Sequence, residues 1–176
     1  ANGVTTITAT TNNGKKARCS VLVRDKVSTR LNGHNITLPG SDDRIYFLDV
    51  TDKDKGIWKA SDAIIIVSNG KYALIDTGKQ MYSNRIIKYL RDLRIKELEF
   101  ILITHAHEDH IGGCSNIIDS GIKIKRLYIK SLNNGKSDAE YKLRVNQIIK
   151  KAQNAKIPVR EVSRVNALKT TLGDFT

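Results

Sequence analysis

Phe100–Gly113 reads F-I-L-I-T-H-A-H-E-D-H-I-G-G, and the fold follows from it. The apolar run Phe100 to Ile103 reads as a fully buried central strand of a sheet. Three of the chain's four histidines, His105, His107 and His110, follow within six residues, with Asp109 among them. A loop leaving the C-terminal edge of such a strand presents its side chains to a crevice. Neutral imidazoles and a carboxylate are good ligands for zinc and similar ions. Imidazoles packed this closely would repel one another if protonated, and a bound dication keeps them neutral. In an extended segment His105 and His107 point the same way, because side chains alternate. Asp109 and His110 come after the chain begins to turn and can face a second ion. Gly112 and Gly113 are expected to let the backbone turn tightly into the next helix.

Strand and helix patterns alternate on both sides of this segment. Ile45–Val50 is a short apolar strand, and Asp62–Ser68 a buried one. Asn69-Gly70 is a hairpin turn from which Tyr72–Ile75 returns, ending at Asp76-Thr77-Gly78. Within Tyr82–Leu93, Ile86, Ile87, Leu90 and Leu93 fall at helical spacing. Downstream, Ser115–Ile118 reads as a short helix ended by Gly121, and Lys125–Ile129 as a strand. Ser137-Asp138-Ala139-Glu140 fits a capping box for a helix with Leu143, Val145, Ile148, Ile149 and Ala152 inward. Val159–Val162 is a further strand. From residue 44 onward the pattern is an α/β layered domain.

The segment H-A-H-E-D-H-I-G-G resembles the signature of the metallo-β-lactamase fold superfamily. R-I-Y-F-L-D-V, then D-A-I-I-I-V-S-N-G-K-Y-A-L-I-D-T-G, then E-L-E-F-I-L-I-T-H follow the order of that family's first half. Within it the segments look most like DNA-uptake competence proteins and phosphorylcholine esterases, with G-K-Y-A-L-I-D-T-G and K-R-L-Y-I-K fitting the esterase branch. The resemblance covers residues 44–176 and implies the first half of an αββα fold. It implies zinc, two ions in a complete domain, the first on His105 and His107 and the second on Asp109 and His110. Asp76 would lie beneath them and orient the ligands. Asp109 is the candidate for a catalytic role. Two metals would activate a bridging water and bind the phosphoryl oxygens of a phosphoester substrate.

Two features depart from the family pattern. The glycine turn of the competence branch is replaced by a longer loop, Thr51–Ser61, whose Trp58 could offer a cation–π surface to a quaternary amine. The family's later ligands, a third histidine, a bridging aspartate and a last histidine, have no counterpart, since no histidine follows His110. Asp174 resembles part of the strand preceding those segments. Each metal then has at most two ligands in this chain, which predicts weak binding and little catalysis.

Residues 1–27 read as a hairpin, with strands Val4–Thr10 and Ala17–Val23 joined at Asn12-Asn13-Gly14. This stretch resembles the end of a bacterial immunoglobulin-like domain of group 2, a kind of extracellular spacer. The expected organisation is therefore 1–27 as the tail of that module, 28–43 as a turn-rich linker carrying His34, and 44–176 as the hydrolase-like domain. The resemblance places the protein at the cell surface of a bacterium or outside the cell.

Composition narrows the alternatives. The 176 residues are 40% hydrophobic and 27% charged, which excludes collagen-like and wholly disordered chains. No apolar run approaches the ~18 residues of a membrane span, so no stable insertion is expected. Cys19 and Cys114 do not form a disulfide scaffold. The net charge of +12 divides as +5 over residues 1–38, −1 over 39–114 and +8 over 115–176. Basic ends could attract a polyanion, but no nucleic-acid-binding motif is present and aromatic residues make up only 6%. The leading reading is a metal-dependent hydrolase of phosphoesters at the cell envelope. The alternative is a cell-surface binding module whose hydrolase part is incomplete.

Overall fold

The computed structural model describes residues 43–50, 61–130, 139–163 and 170–173, together with the backbone of three strands at 3–10, 16–23 and 33–37. In chain order these strands are β1 (Gly3–Thr10), β2 (Lys16–Val23), β3 (Gly33–Thr37), β4 (Arg44–Leu48), β5 (Ile64–Ser68) and β6 (Lys71–Ile75). A 3₁₀ turn at Gln80–Tyr82 leads into α1 (Ser83–Asp92), followed by β7 (Glu97–Leu98) and β8 (Phe100–Ile103). Then come α2 (Glu108–Ile111), α3 (Cys114–Ile118), β9 (Lys123–Ile124), β10 (Leu127–Lys130), α4 (Ala139–Asn154) and β11 (Val159–Val162).

Seven strands form one sheet in the order β11-β10-β8-β6-β5-β4-β3. The β3 to β6 half is antiparallel, and β6, β8, β10 and β11 run parallel. Asn69 and Gly70, both at positive φ, form the tight turn between β5 and β6 that the Asn-Gly pair predicts. β8, the F-I-L-I strand, is central as expected, lying between β6 and β10.

Alternation divides the strands between two faces. Ile65, Leu74, Ile101, Ile103, Leu127 and Ile129 point to one face and are almost completely buried. Ile86 and Leu90 of α1, Ile111 of α2, Ile117 of α3 and Ile148 of α4 join them in the main core. Ala73, Phe100 and Tyr128 point to the opposite face and form a smaller cluster with Leu172. Hence β8 is not uniformly buried, for Leu102 is only partly so.

Three expectations change. The stretch 28–43, read as a linker, contains β3, whose residues Gly33–Thr37 pair antiparallel with Leu48–Arg44 at the edge of the sheet. The residues Gly33, His34 and Asn35, read as part of a turn signal, lie within the strand, and His34 therefore sits in a strand and not in a loop. Leu143, expected inward on α4, is 59% exposed, while Val145, Ile148 and Ala152 are buried. β1 and β2 do pair as a hairpin, from Gly3 opposite Val23 to Thr10 opposite Lys16. Trp58, Asp174 and the capping-box residues Ser137 and Asp138 lie outside the described residues. Among the described residues no helix is long and apolar enough to cross a membrane.

Candidate metal centre

β6 and β8 run parallel and β5 antiparallel to them, so the segments after β6 and β8 and the segment before β5 meet at one edge of the sheet. Asp76 follows β6, Thr104–His107 follow β8, and Asp62 precedes β5. Backbone hydrogen bonds join the three segments. Asp62 N–H donates to the carbonyl of Asp109 at 3.0 Å, Gly78 N–H to that of Asp62 at 2.9 Å, and Thr77 N–H to that of His110 at 2.6 Å.

Asp76 is the base of the site. It is buried and holds a left-handed backbone conformation, φ +56°, which a non-glycine residue adopts at a cost. Its carboxylate is fully engaged. Oδ1 accepts from Thr104 N–H at 2.8 Å, while Oδ2 accepts from Thr104 Oγ1 at 2.7 Å and faces His110 Nδ1 at 2.7 Å. The carboxylate can only accept, so His110 carries its proton on Nδ1 and keeps Nε2 for another partner. Thr104 Oγ1, having donated to Asp76, accepts from Nδ1 of His105 at 3.0 Å. This leaves Nε2 of His105 unprotonated, and it accepts from Nδ1 of His107 at 3.1 Å; an outer hydrogen bond like that to Thr104 is also what orients a metal-binding histidine.

His107 is in extended backbone, φ −66° and ψ 147°, immediately before α2. Its Nδ1 lies 3.1 Å from Nε2 of His105, with the two rings edge to face. Two nitrogens bound to one tetrahedral zinc at ~2.05 Å lie about 3.3 Å apart, so this pair already has the spacing of two corners of such a shell. Burial first, and then the neighbouring His110 and His107, hold the His105 imidazole below its ordinary value. It is therefore neutral at pH 7, as a ligand must be. Asp109 and His110 fall within α2, where the chain turns as the sequence requires. The His110 ring is tilted at 47° to that of His105 with centroids 3.8 Å apart, and its Nε2 faces Asp109 Oδ2 at 3.9 Å and Asp62 Oδ2 at 3.3 Å.

All five sequence-predicted residues, Asp76, His105, His107, Asp109 and His110, thus converge. The donor types suit a divalent metal, and the His105 and His107 nitrogens have the spacing of two of its ligands, whereas Asp109 Oδ2 and His110 Nε2 are 3.9 Å apart. They stand as pairs, for among the described residues no three His, Cys, Asp or Glu groups already enclose a common point.

The structure also adds residues. Thr104 adjoins the motif and couples Asp76 to His105. Tyr141 and Arg144 come from α4, where nothing in the sequence marked them. The Tyr141 ring lies 5.1 Å from that of His107, and Arg144 Nη1 donates to the carbonyl of Ala106 at 2.9 Å, tying the histidine loop to the helix. Gly112 and Gly113 have ordinary right-handed backbone, so conformational freedom is not their role. A Cβ on Gly112 would collide with the carbonyl of Glu108, and one on Gly113 with that of Thr77. Both are small so that the strand-end and helix backbones can touch. Cys114 is completely buried, which pushes its thiol up to about 12 and leaves it inert.

The sequence pattern of the metallo-beta-lactamase superfamily matches residues 56–175, about two thirds of the chain. The Beta-lactamase-like protein 2 homolog of Caenorhabditis elegans is 28% identical over 82 residues, which is 46% of this chain and 28% of that protein. The fold is also similar to the chemotaxis sensor ODP, solved as a peroxy diiron species, with TM-score 0.49, 16% identity and coverage of 76% of this chain and 46% of that one. For the metallo-beta-lactamase FIM-1 of Pseudomonas aeruginosa in its mono-zinc form, the TM-score is 0.43 and identity 17%, over 82% and 54% of the two chains. The chain spans between about a quarter and just over half of the length of these relatives.

Proposed function

Because the chain belongs to the metallo-β-lactamase superfamily, we propose that it carries the ligand-bearing half of a metal-dependent hydrolase, with zinc as the metal and phosphoesters of the cell envelope as substrates. The observation that carries this reading is the pair of histidine nitrogens 3.1 Å apart above a buried, fully hydrogen-bonded aspartate. His105 and His107 would hold one ion, and Asp109 and His110 a second. Bound there, the metals supply Lewis-acid activation of water and of a phosphoryl oxygen. The chain's own groups do the rest. Asp76 and Thr104 fix the ring orientation of His110 and His105. Asp109, partly exposed beside them, is the candidate base, its second carboxylate oxygen being available to accept a proton when the first holds the ion. The resemblance of residues 1–27 to an immunoglobulin-like tail supports an extracellular setting, and that of G-K-Y-A-L-I-D-T-G to the esterase branch supports a phosphorylcholine-type substrate.

A second reading, a surface binding module with an incomplete hydrolase centre, is favoured by the arrangement of donors in pairs. One experiment separates the two. Protein purified without chelator is analysed for metal by mass spectrometry, alongside a His105→Ala, His110→Ala double variant. It is then titrated with zinc and assayed on a phosphodiester. The hydrolase reading expects up to two zinc per chain, bound more weakly than in a three-ligand catalytic site, lost in the double variant and accompanied by slow hydrolysis. No zinc uptake, or uptake that the double variant retains, overturns it in favour of the binding module.

A further inference from the structure

The 3₁₀ turn at Gln80–Tyr82 and helices α2 and α4 border a cleft of about 460 Å³ that the metal-dependent reading leaves unused. Its size lies in the range of roughly 300–1,000 Å³ that takes small ligands. Ile111 of α2 and Ile148 of α4, both buried, give it an apolar base. The remaining walls are polar, with Gln80, Glu108, Glu140, Arg144 and Gln147 among them. We propose that this cleft binds a small polyhydroxylated ammonium compound, an amino sugar in its charged form. The inference stands apart from the metal-dependent reading and needs no ion.

Three observations converge on that ligand. The first is hydrogen-bonding capacity. Among the described residues the side chains of Gln80, Glu108 and Gln147 make no hydrogen bond or ion pair. An amide offers a donor and an acceptor side by side, and each sugar hydroxyl is both, so the two match in pairs. Arg144 spends Nη1 on the Ala106 carbonyl at 2.9 Å and Nη2 on Glu140 at 2.5 Å. These bonds orient its guanidinium, and its other N–H groups remain for a ligand oxygen. The second is charge. Glu108 and Glu140 against Arg144 leave these walls with one net negative charge, in a chain of net +12. Arg144 already pairs with Glu140, so the Glu108 carboxylate is the one left to meet a ligand cation. A phosphate or other anion is repelled there. The third is the apolar base, which suits the C–H face of a sugar ring and not a fully hydrated ion. The cleft also adjoins the histidine loop, since Glu108 follows His107 and Arg144 holds Ala106.

The test is NMR titration of the isotope-labelled chain with glucosamine, glucose and ethanolamine. It is run in chelator at about pH 6, where an amine of this kind is protonated. Glucose keeps the hydroxyls and lacks the charge, while ethanolamine keeps the charge and lacks the ring. The expected result is that glucosamine shifts the amide signals of α2 and of the first half of α4. It should bind at least about fivefold more tightly than either of the others, because a charge-assisted hydrogen bond is roughly twice as strong as a neutral one. Glu108→Gln should bring glucosamine down to the affinity of glucose, and Gln147→Ala should weaken both sugars alike, with melting temperatures equal to wild type confirming the fold. The ligand comparison on wild type stands without either variant. No shift at the cleft, equal binding of glucosamine and glucose, or equal binding of glucosamine and ethanolamine overturns the proposal. None of these outcomes touches the metal-dependent reading, whose own test is metal uptake.

Discussion

At the scale of single residues, the site is organised by what Asp76 has already used up. Each of its oxygens is occupied, so Thr104 and His110 are oriented before any ligand arrives, and through Thr104 so is His105. The same crowding has a pH consequence. With its ionisation held below the ordinary 6.5, chiefly by burial, His105 binds fewer protons in the folded chain than in the unfolded one. Stability therefore rises with pH across that range: it is fully present above about pH 6.5 and declines as the pH falls through the unfolded value. Thermal melting in chelator should show a lower midpoint at pH 5.5 than at pH 7.5. His105→Gln should narrow that difference, and an unchanged difference would show that the pH response arises elsewhere.

At the scale of elements, the turn after β6 and the junction of α2 with α3 approach each other closely. Gly113 N–H donates to the carbonyl of Gly78 at 2.9 Å, and its Cα faces the carbonyl of Thr77 with no room for a methyl group. Thr77 in turn donates from both N–H and Oγ1 to the carbonyl of His110. Gly113→Ala is overpacking at a rigid contact, of a kind that costs 1–3 kcal/mol. Urea denaturation should show a loss of about 2 kcal/mol, and zinc uptake should weaken as His110 shifts; a loss below about 0.5 kcal/mol would mean that the junction yields. This junction also shows what a sequence can reveal. The histidine motif was legible because its donors are local: six residues carry a strand end, an extended pair and a helical turn, and their spacing alone brings the side chains together. Asp76 was legible through the family resemblance. Asp62, Tyr141 and Arg144 reach the site only through sheet order and helix packing, which no local pattern encodes. Similarly, β3 is short and opens on the turn-type residues Gly33 and Asn35, and its pairing partner β4, rather than its own composition, makes it a strand. Leu143 shows the limit of periodicity, since a helix with a wide apolar stripe can leave one member of the stripe in solvent.

At the scale of the whole molecule, the sheet separates two cores that differ in size. The helices α1 to α4 all cover one face. On the other face, Phe100 and Tyr128 meet edge to face at 5.5 Å, and Leu172 closes over them from a segment more than forty residues further along the chain. That segment is held closely. Tyr128 Oη lies 3.4 Å from Thr170 Oγ1, and Gly173, at φ +57°, abuts Ser68 at the far end of β5 with no space for a Cβ. Leu172 therefore bridges strands from both the antiparallel and the parallel halves of the sheet, on the face away from the helices. Its truncation should be felt globally and not at the metal site. Leu172→Ala removes a side chain that is 97% buried and leaves a cavity, which costs about 2–4 kcal/mol. For a chain of this size that corresponds to a fall of roughly 4–16 °C in melting temperature. Zinc affinity should stay within about twofold of wild type, because the donors are set by hydrogen bonds at the strand ends and by the helical face. A small shift in melting temperature would show that the second cluster adds little to the stability of the sheet. A large fall in zinc affinity at constant fold would show instead that the two faces are mechanically coupled through β6 and β8, the strands that carry Asp76 and the histidine loop on one side and Ala73 and Phe100 on the other.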